Sequence, residues 1–230
     1  MNYLDIAKKF NIDVKNHQLY IDAFTHSSYA NEHKEESVDY ERIEFIGDGV
    51  LDLVVADLIF NKYPEMKQGE MTKLRAYLVC SSSLSRYAAK YGFNSAIRIG
   101  GSAVKSGGPN QKILEDVFEA FIGATYLDQG YAFTKKLIYS IIQEDLENFD
   151  LSELTDYKSK LQEYLQSSYR GNVIYKVIDE FGFDHDKTFT VEVSIVINNE
   201  LVRLGVGTGK SKKQAEQVAA KNALSKKAGM

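Results

Sequence analysis

Acidic side chains on two predicted helices are the residues best able to do chemistry. In YERIEFIGDGVL, residues 40–51, and the residue that follows, a helical repeat of about 100° per residue gathers carboxylates into one stripe roughly 80° wide. The stripe consists of Glu41, Glu44, Asp48 and Asp52. Like charges at this spacing repel, so an ordinary solvated face is one explanation. Phe45 lies in the same stripe, and an aromatic side chain among carboxylates indicates a face that something else covers.

A second acidic pair, Asp116 and Glu119, lies in ILEDVFEAFIGATYL, which is apolar on almost every side and therefore predicts a buried helix. Burying ionised carboxylates without partners costs several kcal/mol. We expect no Lys or Arg within one turn on that face. Three explanations stay open: pairing with a distant basic residue, a raised pKa, or a bound cation.

If the two acidic helices face each other, the carboxylates of Glu44, Asp48, Asp116 and Glu119 converge with few or no nitrogen or sulfur ligands. Sites built from oxygen suit hard cations such as Mg²⁺ or Mn²⁺. Such ions activate water and stabilise the charge on a phosphate during its transfer. The chemistry that this arrangement suggests is hydrolysis of a phosphodiester.

The chain that positions these groups has 230 residues, enough for one large or two smaller domains. Residues 1–148 show helical periodicity almost throughout, broken by short Gly- or Pro-containing segments, and predict an all-α domain. The acidic stretch at residues 149–155 is the expected linker. Residues 156–228 change pattern and form the second predicted domain.

The second domain reads as helix, three strands and helix, an α+β arrangement with an antiparallel sheet and both helices on one face. Ser211 and Gln214 predict a capping box at the start of the last helix.

The two halves of the chain differ in charge: residues 1–150 hold 16 Lys/Arg and 22 Asp/Glu, whereas residues 151–230 hold 12 and 10. The basic residues concentrate after Arg203, which favours contact with a polyanion.

The location of the protein is constrained by its lone cysteine and by its apolar segments. Cys80 cannot form an intrachain disulfide, which favours a reducing compartment. The N-terminal segment lacks a basic region followed by an unbroken apolar run, and the most apolar stretch is interrupted by Asp52 and Asp57. We therefore expect a cytoplasmic protein with no signal peptide, no membrane span and no small-molecule cofactor.

Nearly the whole chain resembles the bacterial ribonuclease III endonucleases, which cut double-stranded RNA. The similar segments occur in the family's order and lie in both predicted domains. They are FTHSSYANE, ERIEFIGDGVLDL, GEMTKLRAYLV, ILEDVFEAFIGATYLD and GVGTGKSKKQAEQVAAKNAL. The resemblance implies an all-α endonuclease domain followed by a small double-stranded-RNA-binding domain.

Residue by residue, the resemblance implies that Asp48 and Glu119 are the catalytic pair. It also implies metal ligation by Glu44, Asp48, Asp116 and Glu119, with Mg²⁺ as the ion and Mn²⁺ as a substitute. Phe45 matches the aromatic residue that enters a pocket of a partner subunit, with Glu41 beside it, so a homodimer with one cutting centre per strand is expected. Products with 5′-phosphate and 3′-hydroxyl ends are implied in the same way.

Contacts to RNA are expected at both ends of the second domain. Lys158, Gln162 and Gln166 share one helix face, where glutamines suit the 2′-hydroxyls of the minor groove, although exposed glutamines without a partner are the plainer explanation. His185 matches a loop of the family that reaches a second minor groove. The lysines at the start of the last helix are expected to bind phosphate, with Gly207 and Gly209 allowing close approach of the RNA backbone. They are Lys210, Lys212 and Lys213.

At three positions the sequence departs from the family's usual residues. Tyr40 replaces a common Asn, Gly49 a common Ala or Ser, and Phe183 a common Pro in the RNA-contacting loop. The acidic motifs and the resemblance together predict Mg²⁺-dependent cutting of double-stranded RNA, in the processing of ribosomal RNA precursors and other structured transcripts. Two alternatives stay open: a protein that binds duplex RNA without cutting it, and a metal-dependent phosphohydrolase of small substrates.

Overall fold

The computed structural model describes residues 2–34, 38–101, 104, 107–150, 156–169, 173–182, 187–197 and 200–227. The chain divides into two compact units, Met1–Asp150 and Leu151–Met230. The last helix of the first unit ends at Asn148, and residues 151–155 of the expected linker lie outside the described residues.

The first unit is helical, as its sequence periodicity predicts. An isolated parallel bridge between Thr25 and Arg98 is the strand-like pairing found among its described residues. A short 3-10 helix spans Phe93–Ser95. The α-helices are α1 Tyr3–Lys9, α2 His17–Ala23, α3 Ser27–Glu32, α4 Glu41–Lys62, α5 Gln68–Val79, α6 Ser81–Tyr91, α7 Gln111–Gln129 and α8 Tyr131–Asn148.

Helix α7 is the centre of this unit. The side-chain oxygen of Asn110 caps its start by accepting from the N–H of Ile113 at 3.0 Å, and Gly130 ends it with a φ of 81°. Along its length Phe121 is fully buried, with its ring centroid 5.1 Å from that of Phe93 and 6.1 Å from that of Phe24. A helix surrounded in this way must bury any carboxylate it carries next to a neighbouring element.

The second unit has the predicted order of helix, three strands and helix, which confirms the predicted fold class. Its sheet is antiparallel in the order β1-β2-β3, and the apolar side of the sheet packs against both helices. Leu161 and Leu165 meet Val193 and Ile195 of the middle strand in that core. The elements are α9 Tyr157–Tyr169, β1 Val173–Phe181, β2 Thr188–Ile197, β3 Glu200–Gly209 and α10 Lys212–Lys227.

The glycines at the end of β3 make room for a helix of the same domain. A Cβ added at Gly207 would lie 2.2 Å from the backbone nitrogen of Ala219, and one added at Gly209 would lie 2.7 Å from that of Ala215. Both glycines therefore let α10 pack directly on the strand. Their spacing signals contact between elements of the domain itself.

The start of α10 follows the predicted capping pattern with one change. Ser211 accepts a hydrogen bond from the N–H of Gln214 at 3.2 Å, as a capping residue should. The side chain of Gln214 instead accepts from the N–H of Lys210 at 2.7 Å, one residue ahead of the cap. The first turn is thereby held by two side chains.

Among the described residues, no helix combines the length and the apolar character that crossing a bilayer requires.

Candidate active site

Two glycines bring helices α4 and α7 into backbone contact and thereby assemble the acidic cleft. A Cβ added at Gly47 would lie 1.8 Å from the carbonyl oxygen of Glu119, and one added at Gly123 would lie 2.3 Å from the carbonyl oxygen of Ile43. No side chain fits at either position. Gly49 has nothing within 4 Å of an added Cβ and plays no part in this contact.

Across this contact the structure brings together Glu44, Asp116 and Glu119. Each can present a carboxylate oxygen within 4.8 Å of an oxygen of the others. Asp116 and Glu119 are buried, with 7% and 9% of their surfaces exposed, and Glu44 is half-buried. Asp48 is exposed and lines the same cleft, whose volume is about 650 Å³. The four carboxylates singled out in the sequence therefore line one cleft, three of them at its base and Asp48 at its rim.

Asp116 has an ion-pair partner at one oxygen and a hydrogen-bond donor at the other, and this corrects the expectation that no basic residue lies within one turn of it. The ammonium of Lys112, one turn earlier on α7, lies 2.6 Å from Asp116 Oδ1. The buried hydroxyl of Tyr40 donates to Asp116 Oδ2 at 3.2 Å. Lys112 stands at the i,i+4 spacing and was detectable in the sequence, whereas Tyr40 is 76 residues away and no local pattern reveals its bond.

Among the described residues, neither the half-buried Glu44 nor the buried Glu119 forms an ion pair with a basic side chain. Burial, reinforced by the charges of Asp48 and Glu44, raises the pKa of Glu119 to about 8. Burial, reinforced by the charge of Asp116, raises the pKa of Glu44 to about 7. Burial and the neighbouring Asp116 also raise the pKa of the Tyr40 hydroxyl, which stays a hydrogen-bond donor at neutral pH.

The donor set fits a divalent cation. Within the described residues, the lining of the cleft contains carboxylates, one tyrosine and one lysine beside Phe45, and no histidine or cysteine. Carboxylate oxygens at this spacing are the ligands that Mg²⁺ and Mn²⁺ accept. Of the three explanations left open by the sequence, ion pairing applies to Asp116 and raised pKa values apply to Glu44 and Glu119.

The pKa values of Glu44 and Glu119 predict how pH acts on the metal-free protein. From about pH 4.5 to about 8 the folded state binds more protons than the unfolded state, so the free energy of unfolding falls as the pH rises. The urea midpoint of wild type minus that of Glu119→Gln is expected to fall as the pH rises from 5 to 8.5 in EDTA. The exposed Glu147→Gln is the control. A difference that stays constant or grows with pH would contradict these pKa values.

The other acidic residues of the α4 stripe take separate positions. Glu41 is exposed and lines the rim of the cleft. Asp52 lies 3.9 Å from the guanidinium of Arg75 and is absent from the cleft lining. Phe45, predicted to be covered by something else, has 83% of its surface exposed in the single chain. The rim therefore carries a large apolar side chain that the described residues leave exposed.

In the second unit the expected RNA contacts are divided between α9 and the start of α10. Gln162 is half-buried, and Gln166 is exposed one turn later. The ammonium of Lys158 lies 2.5 Å from Glu216 Oε2 and 4.7 Å from the ring centroid of Tyr175, so its charge already has a partner within the domain. His185 and Phe183 lie outside the described residues.

The lysines at the start of α10 form an exposed group. Lys210, Lys212 and Lys213 all lie on the surface, and the ammonium of Lys212 lies 5.6 Å from the ring centroid of Phe189. Because the first N–H groups of α10 are adjacent, this surface favours anions.

Two family models match the chain, one for each unit. The model described as Ribonuclease-III-like matches residues 16–146, and the model described as Double-stranded RNA binding motif matches residues 157–227. The chain is 46% identical over 225 residues to Ribonuclease 3 of Bacillus cytotoxicus and 47% identical over 225 residues to that of Bacillus cereus strain AH187. Each alignment covers 95% of this chain and 89% of the relative.

Solved structures similar to this chain include the nuclease domain of ribonuclease III from Campylobacter jejuni. One crystal structure superposes with a TM-score of 0.58 at 33% identity and covers 65% of this chain and 99% of that chain. A second, which addresses structural flexibility in the region involved in dimer formation of that domain, has a TM-score of 0.58 and 33% identity over 62% of this chain and 97% of that one.

Proposed function

Because this chain belongs to the ribonuclease III family, we propose that its acidic cleft uses Mg²⁺ to hydrolyse the phosphodiester bonds of double-stranded RNA. The family membership makes it an endoribonuclease with a double-stranded-RNA-binding motif. The observation that supports a metal site is the group of three carboxylates within 4.8 Å of one another in a cleft of the nuclease unit. In this proposal residues 1–148 form the nuclease domain, 149–155 the linker and 156–228 the RNA-binding domain.

In this proposal some residues of the cleft hold the ion and others face the substrate. Glu44, Asp116 and Glu119 would hold Mg²⁺ from the buried side, and Asp48 would complete the site from the rim. When bound, Mg²⁺ would lower the pKa of a water and offset the negative charge of the phosphate that is attacked. Tyr40 keeps Asp116 aimed into the cleft through its hydrogen bond. Mn²⁺ is expected to substitute, since it accepts the same ligands.

Asp48 and Glu119 are the proposed catalytic pair, one on each helix of the cleft. After burial, the charge of Asp48 is the next cause of the raised pKa of Glu119. In the proposed reaction a water oxygen bonds to phosphorus, the bond from phosphorus to the 3′ oxygen breaks, and that oxygen takes a proton. The products are then a 5′-phosphate and a 3′-hydroxyl.

A panel of substrates separates this function from its alternatives. With Mg²⁺, the protein is expected to cut a long RNA duplex and to leave single-stranded RNA and a small phosphodiester such as bis-p-nitrophenyl phosphate intact. Tight binding without cutting would favour a protein that only protects duplex RNA. Turnover of the small substrate alone would favour a phosphohydrolase.

Cytoplasmic processing of ribosomal RNA precursors is the proposed role. It is tested by measuring whether uncut precursor accumulates in cells that lack the protein.

We further propose that two nuclease domains form a homodimer through the exposed face of α4. Phe45, Leu53 and Phe60 on this helix expose 83%, 59% and 66% of their surfaces, and Gly49 leaves an open space among them. Exposed aromatic and aliphatic side chains on one helix are characteristic of an interface. Because Phe45 and Glu41 also line the acidic cleft, the proposed interface would place each cleft beside the partner subunit.

Phe45→Ala is expected to weaken the proposed dimer by at least roughly 30-fold, because a buried aromatic anchor contributes 2 kcal/mol or more to an interface. Sedimentation velocity at several concentrations measures the dissociation constant. Leu127→Ala, which removes another exposed apolar side chain of the same domain, is the control. Equal dissociation constants for wild type and Phe45→Ala would remove this face from the interface.

The exposed lysines of α10 are expected to bind phosphate. Replacing Lys212 and Lys213 by glutamine should weaken duplex binding about equally for all sequences and lower the slope of log affinity against log salt by roughly 1.8. Lys226→Gln, an exposed lysine near the other end of α10, should leave the slope nearly unchanged. Fluorescence anisotropy in EDTA, where no cutting is expected, gives both quantities. An unchanged slope in the double variant would place the phosphate contacts elsewhere.

A further inference from the structure

The placement of Lys112 is not explained by the stability of its own helix. It is the second residue of α7, where the partial positive charge of the helix end disfavours a cation. Its pair with Asp116 runs from base to acid along the chain, the less favourable order for pairs four residues apart. Neither effect favours a lysine at this position. Its presence is better explained by the acidic cleft.

Within the cleft, the ammonium of Lys112 occupies the one oxygen of Asp116 that Tyr40 leaves available. It lies 2.6 Å from Asp116 Oδ1 and 3.7 Å from Glu115 Oε2, while Tyr40 donates to Asp116 Oδ2. A cation that binds Asp116 through Oδ1 would lie beside this ammonium, and the two positive charges would repel each other. The proposed Mg²⁺ site and the ion pair draw on the same carboxylate.

The two partners of Asp116 differ in their freedom to move away. The side chain of Lys112 is 67% exposed, so its ammonium can be solvated by water after a rotation about its side-chain bonds. Tyr40 has 5% of its surface exposed and is fixed by its surroundings. Tyr40 can thus keep the carboxylate oriented while Lys112 leaves.

We propose that Lys112 is a tethered counter-ion of the acidic cleft: its ammonium neutralises Asp116 while no metal is bound and is displaced into solvent when a divalent cation takes its place. The inference rests on the proposed metal site. Lys112 therefore raises the metal concentration that is needed to fill the cleft. It is a positioning residue, and no contact with RNA is assigned to it.

The test is metal binding in the absence of RNA. Titration with Mn²⁺ at about pH 9, followed by electron paramagnetic resonance of the free ion, is expected to show binding roughly 3- to 10-fold tighter in Lys112→Gln than in wild type, because a partly exposed ion pair must be broken only in the latter. Lys112→Arg keeps the charge and should bind nearly as wild type does. Lys90→Gln breaks the exposed pair with Glu144, outside the cleft, and should change nothing.

Unfolding in urea provides a second readout that a merely structural lysine would not move. In EDTA, Lys112→Gln should unfold at lower urea than wild type, and saturating Mn²⁺ should remove most of that difference. Equal or weaker Mn²⁺ binding by Lys112→Gln, or a stability deficit unchanged by Mn²⁺, would overturn the counter-ion role while leaving the metal site intact. A wild-type protein that binds no Mn²⁺ would overturn both.

Discussion

Glu119→Gln is expected to lower the rate of duplex cleavage by at least about 1,000-fold, equivalent to a barrier higher by roughly 4 kcal/mol, while the protein still binds duplex RNA. Glu119 is buried in the cleft, and its carboxylate group lies within reach of both Glu44 and Asp116. Glutamine has nearly the same size but offers no negative charge to a cation. The loss should therefore fall on the chemical step and on metal affinity, and the fold should persist.

Single-turnover cleavage and anisotropy on the same duplex measure these two effects separately. Glu147→Gln, which neutralises an exposed carboxylate of α8, should cut as fast as wild type. Cleavage by Glu119→Gln at the wild-type rate would remove Glu119 from the mechanism. Loss of RNA binding together with cutting would show that the substitution acts on the fold of the protein.

Gly47→Ala is expected to have the largest effect on stability, a loss of about 3 kcal/mol or more, because overpacking against backbone is poorly relieved. The added Cβ would lie 1.8 Å from the carbonyl oxygen of Glu119, and the carbonyl cannot move without bending α7. Any relaxation that separates α4 from α7 also separates Glu44 from Glu119. Cleavage should therefore fall even in the folded fraction.

Gly49→Ala provides the matched control two residues further along α4. An added Cβ there has no neighbour within 4 Å, so the exchange should be neutral or stabilise the helix by up to about 1 kcal/mol. Urea unfolding followed by circular dichroism compares the two variants. Similar midpoints for Gly47→Ala and Gly49→Ala would contradict the close packing of the two helices.

Local periodicity accounts for much of what the sequence predicts correctly. The helical repeat placed Glu44 and Asp48 on one face of α4 and indicated that the helix around Asp116 and Glu119 is buried, because both follow from neighbours within a few residues. The fold class followed in the same way. The family resemblance then supplied the roles, which spacing alone does not contain.

Contacts across the fold account for what the sequence did not predict. The bond from Tyr40 to Asp116 joins residues 76 apart, and the burial of Gly207 against Ala219 depends on how α10 crosses the sheet. In each case the residue type was visible but its partner was not. Tyr40 stood out as a departure from the family, and the structure gives it a partner in Asp116.

The ion pair of Lys112 with Asp116 was not predicted, although it is a local contact. Lys112 lies only four residues from Asp116, so their ion pair could have been predicted from the sequence. The acidic face was instead expected to lack a basic partner. Gly49 lies two residues from Gly47 on the same helix, yet the space around its added Cβ is open. Two glycines on one helix can therefore have unrelated causes, and only the opposing backbone distinguishes them.

The most direct test of the account is cleavage of one RNA duplex, labelled on both strands, by the wild-type protein before and after Mg²⁺ is added to a sample in EDTA. Binding without cutting is expected in EDTA, followed by cuts in both strands that carry 5′-phosphate ends once free Mg²⁺ is present. Cutting in EDTA, or an intact duplex with both Mg²⁺ and Mn²⁺, would contradict a metal-dependent site built from these carboxylates.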